Sequence, residues 1–310
     1  MSFSTQIKNE LARIYPNGKC CRMAELSALL KLDGSFHILG KGKFAIHAST
    51  ENAAVARKIV KLTSELFNLK HEVLVRRSVL RKNNNYVIYI PSQSHLNQTL
   101  NEIGILDDKM IIAPGIVPRL VRKDCCAASY LRGAFMGGGS MGNPAKGYHF
   151  ELDTDNEQLA LDLLSLCKRF KLSVKLSSRK KNYLIYIKDG EGIVNLLALI
   201  GAHKTLLNLE DLRIVKDMRN KVNRLVNCDT ANIDKTVKAA LLQLKDIAFL
   251  DEEVGLSRLP GSLQEVACKR LQFPQANVRE LGELCEPPLS KSAIYHRIRR
   301  IRKLSEKLGR

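Results

Sequence analysis

Residues 20–36, CCRMAELSALLKLDGSF, align without a gap on residues 125–141, CCAASYLRGAFMGGGSM, at an offset of 105. Three further matches follow in the same order: STEN (49–52) with DTDN (153–156), NYVIYI (85–90) with NYLIYI (182–187), and EIG (102–104) with LIG (199–201). The offset drifts only from 105 to 97, as loop-length changes between two copies of one unit would produce. A chain built this way must form the same supersecondary unit twice. The copies span about 20–105 and 125–202.

Periodicity predicts the same elements in each copy. A short apolar helix (24–33 and 129–137) ends in glycine, and two strand-like runs follow, of which KFAIHAS (43–49) and YHFELD (148–153) are the clearer. An amphipathic helix comes next (51–67 and 155–170), with Ala54, Ile59, Leu62 and Leu66 at helical spacing in the first copy. A hairpin pairs HEVLVRR with NYVIYI, and SVKLSSR with NYLIYI, across a Lys/Asn-rich turn, and a short helix closes the unit (92–104 and 190–200). Each copy is therefore αββαββα, an α+β unit repeated in tandem.

Fifty Lys and Arg against 31 Asp and Glu leave a formal charge of +19, which favours a polyanionic partner. No apolar run approaches the roughly 18 residues of a spanning helix, and MSFSTQIKNELARIY reads as an amphipathic helix rather than a signal peptide. A soluble cytoplasmic protein with no membrane partner is expected. The eight cysteines show none of the C-x2-C spacings of zinc sites, so they are expected to pack as small apolar residues, with no metal and no cofactor.

The opening helix of each copy carries a resemblance. Leu26-Ser27-Ala28-Leu29-Leu30-Lys31-Leu32-Asp33-Gly34 resembles the LAGLIDADG signature of homing endonucleases, and Leu131-Arg132-Gly133-Ala134-Phe135-Met136-Gly137-Gly138-Gly139 is its degenerate second copy. The resemblance implies two helices packed backbone to backbone on a pseudo-twofold axis, with two sheets forming a saddle over DNA. In that family's active nucleases an acidic residue at each helix end binds divalent metal. Here Asp33 holds the first acidic position but Gly138 holds its partner. One carboxylate facing a glycine cannot hold and neutralise a two-metal cleavage site, so no catalytic residues and no enzymatic activity are expected, and Asp33 is vestigial.

The C-terminal third reads as all-α. Residues 210–229 form a helix and its exit, a second helical period runs over 230–250, and Asp251 to Gly261 is a connecting loop. The expected domains are 1–209, a helical linker at 210–229, and 230–310, with a helix-turn-helix at about 275–308. Ser262 caps a first helix, Asn277 a second (Val278 to Cys285), and Ser290, after the Glu286-Pro287-Pro288-Leu289 turn, a third reaching about Leu308. Ile294, Ile298, Ile301 and Leu308 form the third helix's apolar stripe. Ser292, His296, Arg299 and Lys303 lie opposite, flanked by Tyr295, Arg300 and Arg302, with Ser290 and Lys291 at the N-terminus. Residues 289–310 hold eight Lys/Arg against one Glu, the densest basic block of the chain.

A degenerate double LAGLIDADG unit joined to a helix-turn-helix resembles the WhiA family of sporulation and cell-division regulators of Gram-positive bacteria. The stretches Asn223-Arg224-Leu225-Val226-Asn227-Cys228-Asp229-Thr230-Ala231-Asn232 and Pro287-Pro288-Leu289-Ser290-Lys291-Ser292, with Leu259-Pro260, are similar to that family's own. The resemblance implies a nucleoid-associated, sequence-specific DNA-binding protein without nuclease activity. It would act in transcription control, cell division, chromosome segregation or sporulation, with transcription-machinery or other regulatory proteins as further partners. The alternative is a LAGLIDADG-type protein that is an active nuclease or is directed to RNA. Arg76, Arg77, Lys175 and Arg179 on the hairpins are candidates for non-specific contacts.

Overall fold

The computed structural model describes residues 2–40, 42–77, 84–180 and 182–309. Packing divides the chain into two units, residues 1–216 and 217–310. The first opens with α1 (Phe3–Leu11), capped by Ser2 and burying Ile7 and Leu11. The first repeat follows as α2 (Lys19–Asp33), β1 (Gly34–Ile38), β2 (Phe44–Thr50), α3 (Ala53–Phe67), β3 (Glu72–Arg77), β4 (Asn84–Ile90) and α4 (Leu96–Glu102). After a single turn, α5 (Pro118–Val121), the second runs α6 (Asp124–Gly138), β5 (Gly139–Met141), β6 (Phe150–Thr154), α7 (Glu157–Arg169), β7 (Lys175–Arg179), β8 (Asn182–Ile187) and α8 (Gly190–Ile200). Both repeats have the expected αββαββα order. Both sheets are antiparallel, ordered β1-β2-β4-β3 and β5-β6-β8-β7.

The repeated motifs mark the joints of this unit. In STEN and DTDN the asparagine is the N-cap: Asn52 accepts from the amides of Ala54 and Val55, and Asn156 from that of Leu159. Thr50 and Thr154 each accept from the backbone of that same asparagine. Helices α2 and α6 begin about five residues before the apolar signal expected at 24 and 129, because their first turns carry Lys, Cys, Arg and Asp and no capping side chain. The two helices pack against each other closely. A Cβ on Gly133 would stand 2.4 Å from the carbonyl oxygen of Glu25, so only glycine permits this approach. The Lys/Asn-rich turn of the first hairpin falls at 78–83, outside the described residues.

One apolar core serves both repeats, from Ile7 to Leu209. It encloses an ionic group. Glu25, with no solvent exposure, lies 3.0 Å from Lys58 of α3 and 3.5 Å from Arg132 of α6, and Arg132 also donates to the Ile200 carbonyl at 2.7 Å. Burial pushes the Glu25 carboxyl up, and the two cations oppose it.

The C-terminal third departs from expectation in its first half. Residues 210–229 and 230–250 belong to one continuous helix, α9 (His203–Glu253). No glycine or proline interrupts 203–253, so the exit expected near Asp229 has no residue to produce it. Glu10 caps this helix by accepting from the amides of Lys204 and Thr205. The loop expected at 251–261 is shorter, because α9 runs through Glu253 and a 3-10 turn occupies Leu256–Arg258. Three helices follow: α10 (Gly261–Gln272), α11 (Val278–Glu283) and α12 (Lys291–Lys307). Among the described residues, no helix is long and apolar enough to cross a membrane.

Candidate nucleic-acid interface

Local chemistry builds the helix-turn-helix. Asn277 accepts from the amides of Arg279 and Glu280 while the Glu280 carboxylate accepts from the Asn277 amide, a reciprocal capping box that starts α11. Ser290 caps α12 through the Ala293 amide. The expected cap at Ser262 does not form. Helix α10 begins two residues earlier, with Pro260 as its N-cap, whose fixed φ presets the helical start without a side-chain acceptor. The turn between α11 and α12 closes by a bond from the Leu289 amide to the Gly282 carbonyl. It needs glycine at 282, where a Cβ would meet the Leu289 carbonyl oxygen at 2.3 Å. Glu265 of α10 braces the arrangement, accepting from the Glu286 amide and from Arg297 of α12, each at 3.0 Å.

These three helices and the end of α9 share a core of their own, including Ile247, Leu263, Val266, Leu281, Ile294 and Ile301. On α12 this core takes Ile294, Ile301 and Ser305 fully, with Leu304 partly buried. Two stripe residues depart from expectation. Ile298 is only partly buried because it faces a groove, and Leu308, the C-cap, is 49% exposed where it lines a groove with Leu250, Val254 and Leu259.

Ser290, Lys291, Ser292, Tyr295, His296, Arg299, Arg300, Arg302 and Lys303 are all exposed. They do not form one uniform face. Tyr295, Arg299, Arg302 and Lys303 wall a groove of about 450 Å³ whose other side is Ala239, Leu242, Gln243 and Asp246 of α9. Arg300 and Lys303 border a second groove with Leu250, Val254 and Pro260. Ser292 and His296 line neither groove. Arg302 is paired with Glu306 at 2.9 Å. The sequence predicts a helix over 230–250, which contains these wall residues, but its packing along α12 has no signal in the sequence.

In the repeat unit, each sheet turns one face to its helices and leaves the other open. Register puts His37, His47, Tyr89 and Arg76 on the open face of the first sheet and Glu151, Tyr186, Lys175 and Arg179 on that of the second. Arg77, one residue on from Arg76, points to the opposite face. The His47 ring lies 4.6 Å from both His37 and Tyr89, and its proton affinity is lowered by burial, then by His37 and Arg76. No motif announces this aromatic and imidazole cluster; only the strand register assembles it.

The two helix ends at the LAGLIDADG position are unequal. Asp33 closes α2, and burial pushes its carboxyl up to about 7, against the opposing effect of Lys8. Its Oδ2 is buried with no hydrogen-bond partner among the described residues. Lys8 of α1 donates to the Gly137 carbonyl at 3.1 Å, and its own affinity for a proton is lowered by burial and supported by Asp33. Across the axis, a Cβ on Gly138 would stand 2.5 Å from the carbonyl oxygen of Asp153 and 3.3 Å from Leu32. The partner position therefore lacks a carboxylate and lacks room for one. A lone carboxyl beside an ammonium does not fit a pair of divalent ions.

The cysteines are not all packing residues. Cys21, Cys126, Cys167 and Cys285 are buried, whereas Cys20, Cys125 and Cys228 are exposed. Exposure follows from the early starts of α2 and α6, which place Cys20 and Cys125 in uncapped first turns.

Comparison with known proteins gives a consistent result along the whole chain. The WhiA N-terminal LAGLIDADG-like domain matches residues 19–106, the WhiA LAGLIDADG-like domain residues 127–219, and the WhiA C-terminal HTH domain residues 222–305. A protein named Probable cell division protein WhiA from Desulforamulus reducens is 51% identical over 99% of this chain and 96% of its own length. A protein of the same name from Heliobacterium modesticaldum is 46% identical over 100% and 98%. The crystal structure of full-length WhiA from Thermatoga maritima superimposes with a TM-score of 0.61 at 27% identity, covering all of both chains.

Proposed function

The chain belongs to the WhiA family, and on that premise we propose that it is a non-enzymatic, sequence-specific binder of duplex DNA. Its role is that of a nucleoid-associated transcription regulator in cell division, chromosome segregation or sporulation. One observation carries the reading: nine polar or basic residues of the α12 region are exposed while Ile294 and Ile301 of the same helix are buried. A helix so divided, behind a tight glycine turn, can enter a major groove with its core intact. Lys291 and the free amides of the first turn of α12 suit a phosphate, whereas His296 and Arg299 lie far enough along to reach base edges. Arg76, Lys175 and Arg179 on the open sheet faces add sequence-independent attraction.

The absence of nuclease activity is supported by Gly138 and by the carbonyl that fills the space beside it. Purified full-length protein with Mg²⁺ or Mn²⁺ should leave plasmid DNA intact; sequence-specific nicking lost in Asp33→Asn would overturn this. Competition between duplex DNA and structured RNA at moderate salt tests the partner. Retention of the DNA complex is expected, and displacement by RNA would reassign the protein to RNA.

A further inference from the structure

We propose that Cys20, Cys21, Cys125 and Cys126 hold one thiophilic divalent cation of the zinc class on the repeat axis, with two thiolates supplied by the first turn of each repeat helix. The cysteine pairs are isolated in sequence and adjacent cysteines chelate poorly, so neither pair alone makes a site. The fold removes that obstacle by bringing the two pairs together. The Sγ atoms of Cys20, Cys21 and Cys126 all lie within 4.8 Å of one another. Those of Cys21 and Cys126 are 3.8 Å apart. A tetrahedral zinc with Zn–S bonds of about 2.3 Å has sulfur–sulfur edges of about 3.8 Å, so this edge is already at its bound length. Cys125, exposed and next to Cys126 in the chain, swings in as the fourth ligand in this proposal.

The arrangement is a pseudo-symmetric one. Cys20 and Cys125 are each the second residue of their helix, and Cys21 and Cys126 each the third. Each helix thus contributes one exposed and one buried thiol, and the exposed ones give the ion a way in. Neither helix has a capping side chain on its first turn. On binding, four thiols release four protons, and the resulting site of net charge −2 has Lys19, Arg22, Arg122 and Lys123 as cationic neighbours and Asp124 as an anionic one along the chain. The ion would clasp α2 to α6 at the end opposite Asp33 and Gly138.

The test uses the full-length protein, reduced and stripped of metal, titrated with Co²⁺ and then with Zn²⁺. A single equivalent of Co²⁺ should produce the ligand-field and sulfur-to-cobalt charge-transfer bands of tetrahedral thiolate coordination, and Zn²⁺ should abolish them and raise the melting temperature. The double variant Cys20→Ser/Cys125→Ser, changed only at exposed positions, should keep its fold and lose at least about tenfold in Co²⁺ affinity. Cys228→Ser should behave as the parent. The proposal is overturned if the reduced parent shows no thiolate–cobalt spectrum, or if the double variant retains it unchanged.

Discussion

The two units of this protein use charge in opposite ways. In the repeat unit the ionisable groups on the axis are turned inward: Glu25, Lys58 and Arg132 neutralise one another in the core, and Asp33 is shut in beside Lys8. In the helix-turn-helix unit an apolar core of its own supports α12, and every proposed contact residue faces outward. A buried charge is bound to fixed partners and has little left for a ligand, whereas an exposed one retains its freedom to meet a phosphate or a base. The LAGLIDADG-like half thus spends the ionisable groups on its axis on packing. The contrast is the reason we propose the reading head in the second unit.

The largest expected effect breaks the inward half. Glu25→Ala leaves Lys58 and Arg132 buried without their anion, at a cost of about 3–5 kcal/mol. Thermal melts should show the 1–216 unit destabilised and the helix-turn-helix transition unchanged. The matching disruption of the other half is Ile294→Ala, which removes buried methyl groups at about 2–5 kcal/mol. It should melt the 217–310 unit early and abolish DNA binding, without moving the transition of the repeats. Ile298 is the milder control, since it is only partly buried.

Arg299→Ala sharpens the outward side. It should reduce discrimination between cognate and random duplex by about 1–3 kcal/mol, the worth of a base-edge contact. Lys303→Ala should weaken both duplexes alike and lower the salt slope by about one. Isotherms on two sequences at two salt concentrations read both effects, and identical behaviour of the two variants would refute the division of α12 into base and phosphate contacts.

A further effect is a slope, and its sign follows from Asp33. Its folded-state pKa, about 7, stands above the ordinary 3.8, so the folded state holds the proton more tightly than the unfolded chain does. The stabilisation is fully present below the ordinary value and is lost as pH rises through about 7. Stability of the repeat unit should therefore fall over this window with a slope of at most about 1.4 kcal/mol per pH unit. Asp33→Asn should flatten the dependence, and melts taken between pH 4 and 7.5 check it.

Much of the fold was legible because it is local or repeated. STEN and DTDN are N-caps in the same place of each unit, and NYVIYI and NYLIYI are the same central strand. Asn277 and Ser290 cap α11 and α12 because their partners lie within three residues. The departures come where a residue's fate depends on a distant one. Ile298 fits the apolar period of α12, yet the groove along α9 leaves it half open, and the continuity of α9 through Asp229 follows from missing breakers rather than from any positive signal.

By itself the sequence determined the repeat, the order of elements within it, the capped helix-turn-helix and the pairing of an acid with a glycine. All of these are carried by residue type and spacing over a few turns of chain. Only the tertiary structure decided that Lys8 would stand beside Asp33, that Gly138 would have a carbonyl where a side chain would go, and that Cys21 and Cys126 would meet 3.8 Å apart. Those facts depend on contacts between residues up to about a hundred positions apart. Their distances are set by how whole helices pack, which no local pattern encodes.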